Sequence, residues 1–128
     1  IKKGLMILLG VEHSDDKSDV IWLTRKICNL RIFDDENGIM NKSLCDLKAE
    51  VLIVSQFTLH ALTKKGNRPS YIKEAKSPYA KKLYQDFIKS MNNYNKIESK
   101  FGSFGENMLV KIENDGPVTL FIDSKNKE

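Results

Sequence analysis

Val51-Leu52-Ile53-Val54-Ser55-Gln56-Phe57-Thr58-Leu59 is the stretch that decides the fold. Four consecutive β-branched or leucine side chains suit a strand covered on both faces, because a strand with one wet face alternates polar and apolar residues. Ser55, Gln56 and Thr58 follow at once. In sheets flanked by helices, ligands settle beyond the carboxyl ends of the strands. Hydrogen-bonding side chains that arrive where a buried strand surfaces are therefore a candidate site. The alternative is plain strand-end hydrogen bonding, with Ser55 and Thr58 satisfying nearby backbone groups.

Upstream, residues 5–9 form a second continuous apolar run, stopped by Gly10, and are expected to be another buried strand. A polar loop with Ser14, Asp15 and Asp16 can cap a following helix. Over residues 17–30, Val20, Leu23, Ile27 and Leu30 recur at three- and four-residue steps and give one apolar face. Trp22 lies off that stripe, free to pack against a neighbouring element or a partner chain. Residues 31–33 read as a short strand, 34–38 as an Asn-Gly turn, and Ile39-Met40 as its return. A polar connection over 41–48 leads back to the central strand.

Downstream, Ser77-Pro78 predicts a helix start, with Ser at the cap and Pro at the first helical position. Ala80, Leu83, Tyr84, Phe87, Ile88 and Met91 fall on one face, which reads as core. Residues 101–105 read as a glycine-bearing loop. Residues 108–113 alternate as in a half-buried strand, 114–117 force a reversal, and 118–122 read as the last strand. Residues 124–128 are a polar tail. The order of elements predicts an α/β chain, two main helices packed on mixed β-sheets, with one domain over residues 1–128.

Of the 128 residues, 41% are hydrophobic and 30% charged, a globular balance rather than a disordered or membranous one. No apolar run approaches the ~20 residues of a membrane-spanning helix. The net charge of +4 permits an acidic partner such as RNA without requiring one. Cys28 and Cys45 lack metal-type spacing and read most simply as reduced thiols of an intracellular protein, with a single disulfide left open.

The catalytic inventory is thin. His13 and His60 are the only histidines and are expected in solvated loops with no fixed partner. Nothing marks a catalytic triad, and no His/Cys/Asp cluster has metal spacing. Residues 60–71 contain Gly and Pro, no period, and the cations Lys64, Lys65 and Arg68. Such a run is ordinarily a solvated loop. Its functional reading is a cationic loop that meets phosphates, since Lys and Arg neutralise backbone charge without reading sequence.

Ser55-Gln56-Phe57-Thr58-Leu59, together with Asn114-Asp115-Gly116-Pro117-Val118-Thr119, resembles the two signature motifs of the D-aminoacyl-tRNA deacylase family. Residues 8–11, 30–33, 65–70 and Phe104-Gly105 with Met108 look like that family too, so the likeness runs from residue 1 to about 124. Two departures stand out: the family's leading β-hairpin is expected upstream of residue 1, and Leu62 stands where many relatives carry Asp.

The resemblance implies a barrel-like mixed sheet and a cytoplasmic, cofactor-free homodimer. It implies hydrolysis of the ester that joins a D-amino acid, or wrongly attached glycine, to the 3′ end of tRNA. By the same resemblance Gln56 and the backbone N–H near Phe57 are oxyanion donors, Ser55 braces the site, and Thr58 matches a proposed nucleophile. An unassisted hydroxyl is a poor nucleophile, which favours an aligned water. A cis Gly116-Pro117 bond is implied to reach into the partner's site, flanked by Asn114, Val118 and Thr119. Only about 5–6% of X-Pro bonds in folded proteins are cis. Lys64, Lys65 and Arg68 would meet the tRNA. The rivals are a relative that clears L-alanine from tRNA, a tRNA-binding module without catalysis, and a structural homodimer. The intact Ser55-Gln56 and Asn114-Asp115 pairs speak against the first.

Overall fold

The structure is a computed structural model that describes residues 1–116 and 118–128. Its centre is a parallel pair of strands, β1 (Gly4–Leu9) and β4 (Glu50–Ser55), in register from Gly4 opposite Glu50 to Leu9 opposite Ser55. Parallel neighbours need a crossover, and here it contains helix α1 (Lys17–Asn29), a short hairpin of β2 (Phe33–Asp34) and β3 (Met40–Lys42), and the four-residue helix α2 (Leu44–Leu47). Helix α3 (Tyr79–Asn95) then packs beside α1, and β5 (Lys100–Phe101) joins the other edge of β4 in parallel. The three-stranded sheet therefore runs β1-β4-β5.

The apolar run of β4 is buried as its sequence requires: Ile53 is fully shielded and Val51 is 2% exposed. Phe87 and Met91 of α3, Cys28 of α1 and Leu44 of α2 close the core over it. The Cys28 thiol approaches the Met91 sulfur at 3.8 Å. Burial, with Cys45 beside it, pushes that thiol up to about 12, and both cysteines are free. Cys28 is thus a small core hydrophobe.

Helix α1 starts where the cap predicts. Asp16 accepts from the Ser18 N–H at 2.8 Å, and Asp19 reaches back to the Asp16 N–H at 2.9 Å, a capping box. The second main helix departs from expectation. Pro78, not Ser77, is its cap and no side chain caps it, so Ser77 does not perform the role its position suggests. The start is held instead by the Tyr79 hydroxyl, which donates to the Asp15 carbonyl and ties the two helix starts together.

Three other expectations change. The polar connection after β3 contains α2, capped by Ser43 and Asp46 in a second capping box. Residues 108–113 and 118–122, expected as paired strands, carry no strand assignment among the described residues. Met108, Val110, Val118 and Ile122 are half-buried, but the other apolar side chains stay open, with Leu109 88% and Phe121 77% exposed. Alternation set the expectation, but a strand needs a partner to complete its ladder. The sheets described are open, without the closure of a barrel among the described residues.

The tail folds back on the helical layer. Lys125 Nζ donates to Asp19 Oδ2 at 2.8 Å and to the Ser14 carbonyl at 3.0 Å. Lys127 lies over Trp22, 4.9 Å from the ring centroid. No helix among the described residues is long and apolar enough to cross a membrane.

Candidate active site

β4 ends at Ser55, and the chain turns at once into a 3₁₀ turn, Phe57–His60. The turn is set by backbone pairing. Gln56 N–H donates to the Leu9 carbonyl at 2.8 Å, the last rung between the two strands, and Leu59 N–H then donates to the Gln56 carbonyl at 3.3 Å. The Gln56 side-chain amide donates to the Thr58 hydroxyl. Gln56 and Thr58 are thus brought together where β4 ends. The first N–H groups of a helical turn have no partner within it, and those of Phe57 and Thr58 have no acceptor among the described residues.

A small cavity of about 50 Å³ opens beside this turn, lined among others by Ser55, Gln56, Phe57, Tyr84 and Phe104. Tyr84 was legible only as core. Its hydroxyl donates to the carbonyls of Gly102 at 2.7 Å and Ile53 at 3.1 Å, which fixes the loop after β5 against the end of β4. Burial pushes its phenol above the ordinary range, so it stays protonated at neutral pH. Phe104 tilts against Tyr84 with centroids 5.6 Å apart. An aromatic at helical spacing gives no warning that its polar end reaches a site.

The outer wall is aromatic. Phe57 is 53% exposed and meets Tyr71 edge to face at 5.2 Å. His60 is not the free loop residue expected. It belongs to the 3₁₀ turn, its Nδ1 stands 3.8 Å from Glu12 Oε2, and its ring fills the space a side chain at Gly10 would need. His13 Nε2 lies 2.9 Å from the Ile72 carbonyl. These contacts pin residues 10–13 and 71–75 around the site, helped by the Ala75 N–H donating to the Val11 carbonyl at 2.9 Å.

The cationic segment is the tip of a short antiparallel bridge. Leu62 and Ser70 exchange backbone hydrogen bonds of 2.8 and 3.0 Å, and Lys64, Lys65 and Arg68 between them are all exposed. Gly66, at φ +71°, supplies the left-handed residue that the tip needs.

The second motif forms an exposed turn of its own. Asn114 Nδ2 donates to Thr119 Oγ1 at 3.0 Å, closing residues 114–119, and Gly116 has φ +134°, a conformation that favours glycine. The expected cis Gly116-Pro117 bond falls on Pro117, which lies outside the described residues. Val118 is half-buried. Among the described residues, the cavity beside Gln56 includes none of this turn.

Comparison with known proteins agrees along the whole length. A family model described as D-Tyr-tRNA(Tyr) deacylase matches residues 1–123. A D-aminoacyl-tRNA deacylase of Bacteroides fragilis is 56% identical over 128 residues, which is all of this chain and 85% of that protein. One of Flavobacterium psychrophilum is 55% identical with the same coverage. Among solved structures, a c-Myc DNA unwinding element binding protein superposes with TM-score 0.84 at 38% identity, over 91% of this chain and 79% of that one. A structure described as a probable eukaryotic D-amino acid tRNA deacylase shares the fold, at TM-score 0.70 and 16% identity over 88% of this chain and 79% of its own.

Proposed function

The chain belongs to the D-Tyr-tRNA(Tyr) deacylase family, and from that premise we propose that it hydrolyses D-aminoacyl-tRNA in the cytoplasm. Water adds to the ester carbonyl, the bond to the terminal ribose oxygen breaks, and that oxygen takes a proton. The products are a free D-amino acid and tRNA. Glycine wrongly attached to tRNA is a second substrate, because it has no side chain to be rejected. The reaction as written calls for no cofactor.

One observation carries the reading: Gln56 and Thr58 hold each other at the mouth of a cavity where a buried strand ends. In the proposed roles, the Phe57 and Thr58 N–H groups and the Gln56 amide face the developing oxyanion. Ser55 braces the turn, and Thr58 aligns the attacking water. Lys64, Lys65 and Arg68 meet tRNA phosphates from their exposed tip.

Selection for the D-form is assigned to a second copy of the chain. In a homodimer, the turn of Asn114, Gly116, Pro117, Val118 and Thr119 enters the partner's site, and its backbone carbonyls hold the substrate's amino group. An L side chain would then meet the wall. Two features support this arrangement. Among the described residues the turn contributes nothing to the lining of its own chain's cavity, and the flanking segments leave Leu109, Ile112, Leu120 and Phe121 exposed. Contiguous exposed apolar surface marks interfaces.

The test is parallel incubation with D-Tyr-tRNA and L-Tyr-tRNA, following loss of ester. Selective loss of the D-ester is expected. Equal loss, or none, rules the proposal out.

A further inference from the structure

Along α1 from Trp22 and just past its end, the surface holds a groove of about 390 Å³ lined by Trp22, Arg25, Lys26, Asn29, Leu30 and Arg31. Three of the six are cations and none is a carboxylate. The floor is apolar, Trp22 and Leu30, and the rim is positive. Lys26 stands 5.6 Å from the Trp22 ring centroid and Lys127 stands 4.9 Å from it, so the ring holds two ammonium groups at the rim. Arg31 is oriented by Asn41, whose carbonyl accepts from its Nε at 3.1 Å and whose side chain accepts from its guanidinium. The nearby Asp46 carboxylate feels Arg31, but it is engaged by the Ser43 N–H at 2.9 Å in capping α2. Asn29 is committed to the Arg25 carbonyl and the Tyr94 hydroxyl at 2.8 and 2.7 Å. That leaves the cations to serve the groove.

We propose that this groove binds the sugar-phosphate backbone of the substrate tRNA, at a distance from the ester. An aromatic floor with a cationic rim is what a ribose-phosphate chain requires: stacking or apolar contact for a base or sugar, and point charges for phosphates. Its place in the fold gives it a second-contact role. The groove runs from the middle of α1 to just past its end, Trp22 to Arg31, and shares no lining residue with the cavity beside Gln56. The aminoacyl ester fills one cavity at most, whereas a folded RNA can touch both. The proposal rests on the deacylase reading for the identity of the RNA.

The experiment uses the full chain, with Arg25→Glu and Lys26→Glu combined; both side chains are exposed. Two substrates are compared, D-Tyr-tRNA and the D-tyrosyl ester of adenosine, which lacks the tRNA body. The expected result is a KM for the tRNA ester raised about tenfold at unchanged kcat, with the adenosine ester unaffected. The slope of log KM against log salt should fall by about 1 for each phosphate contact removed. The chain has one tryptophan, so uncharged tRNA should also quench Trp22 emission in the unaltered protein, reversibly with salt. An unchanged KM for the tRNA ester, or equal losses on both esters, overturns the groove. If the unaltered protein cleaves neither ester, the deacylase reading fails, and the titration with uncharged tRNA then decides the groove alone: no quench overturns it.

Discussion

The Gln56 amide donates to the Thr58 hydroxyl, so one of the two polar side chains at the end of the central strand is already accepting from the other. An oxygen engaged in this way is a poorer nucleophile and a better anchor. Thr58→Val should therefore lower kcat on D-Tyr-tRNA on the order of tenfold to a hundredfold, the scale of one lost positioning or oxyanion contact. Loss to the uncatalysed rate, or a trapped acyl-enzyme in the unaltered protein, assigns the attack to Thr58 itself.

Gly116 is exposed with φ +134°, and a Cβ there would lie 3.3 Å from the Val118 nitrogen. Gly116→Ala should distort the 114–119 turn at a local cost of about 1–3 kcal/mol. The core cluster includes none of the turn's described residues, so the thermal midpoint should move by only a few degrees. The rate on D-Tyr-tRNA, or the ratio of D to L hydrolysis, should fall further. Global unfolding alongside the kinetic loss would make the turn a structural element.

Tyr84→Phe removes a hydroxyl that donates to two backbone carbonyls. The Ile53 carbonyl keeps the Gly102 N–H at 2.9 Å, so the loss falls on the Gly102 carbonyl and should cost about 1–3 kcal/mol. The loop after β5 should also loosen at the cavity, raising hydrogen exchange at residues 102–105. Unchanged exchange there would show that Phe104 packing holds the loop alone.

The clasp of Lys125 on Asp19 has a predictable pH window. Burial works against ionisation of Asp19, but hydrogen bonds led by Lys125 outweigh it and hold the carboxyl below its ordinary value of 3.8. Its contribution is present above that value and is lost as pH falls through the depressed one. The hydrogen bond with Asp19 raises the Lys125 ammonium above its ordinary 10.5, so that contribution is present below 10.5 and is lost as pH rises further. The tail should stay docked from about pH 5 to about pH 9, which gives a flat Trp22 emission over that range because Lys127 rests on the ring. Lys125→Met should shift the emission maximum at neutral pH. An unshifted spectrum means that the tail docks without the clasp.

The parts legible in the sequence were those whose cause is local. Continuous apolar side chains at 5–9 and 51–54 specified two strands. Only β4 is buried as expected, since β1 lies at the sheet edge, half-buried, with Leu8 43% exposed. The Ser and Asp residues of 14–16 marked the start of α1, where Asp16 is the cap. Ser77 misled because capping depends on the dihedral angles a residue adopts, and here Pro78 takes the cap position. Alternation at 108–113 describes a strand that wants a partner, and it does not say which chain supplies one. The Ser55–Thr58 motif surfaced where expected. Tyr84, His60 and the Trp22 groove were invisible, since each arises from contacts between segments far apart in sequence: Tyr84 with Gly102, His60 with Glu12, and Lys127 with Trp22.

The parallel register of β1 on β4 also bears on biogenesis. A hairpin can zip as it emerges, but this pair must wait until α1, the β2–β3 hairpin and α2 have all left the ribosome. Until then β1 lacks β4 as its partner, and the floor beneath Gln56 does not exist. Closing so long a loop slows assembly of the sheet. The nascent chain is thus most exposed to misassociation in the interval before residue 55 emerges.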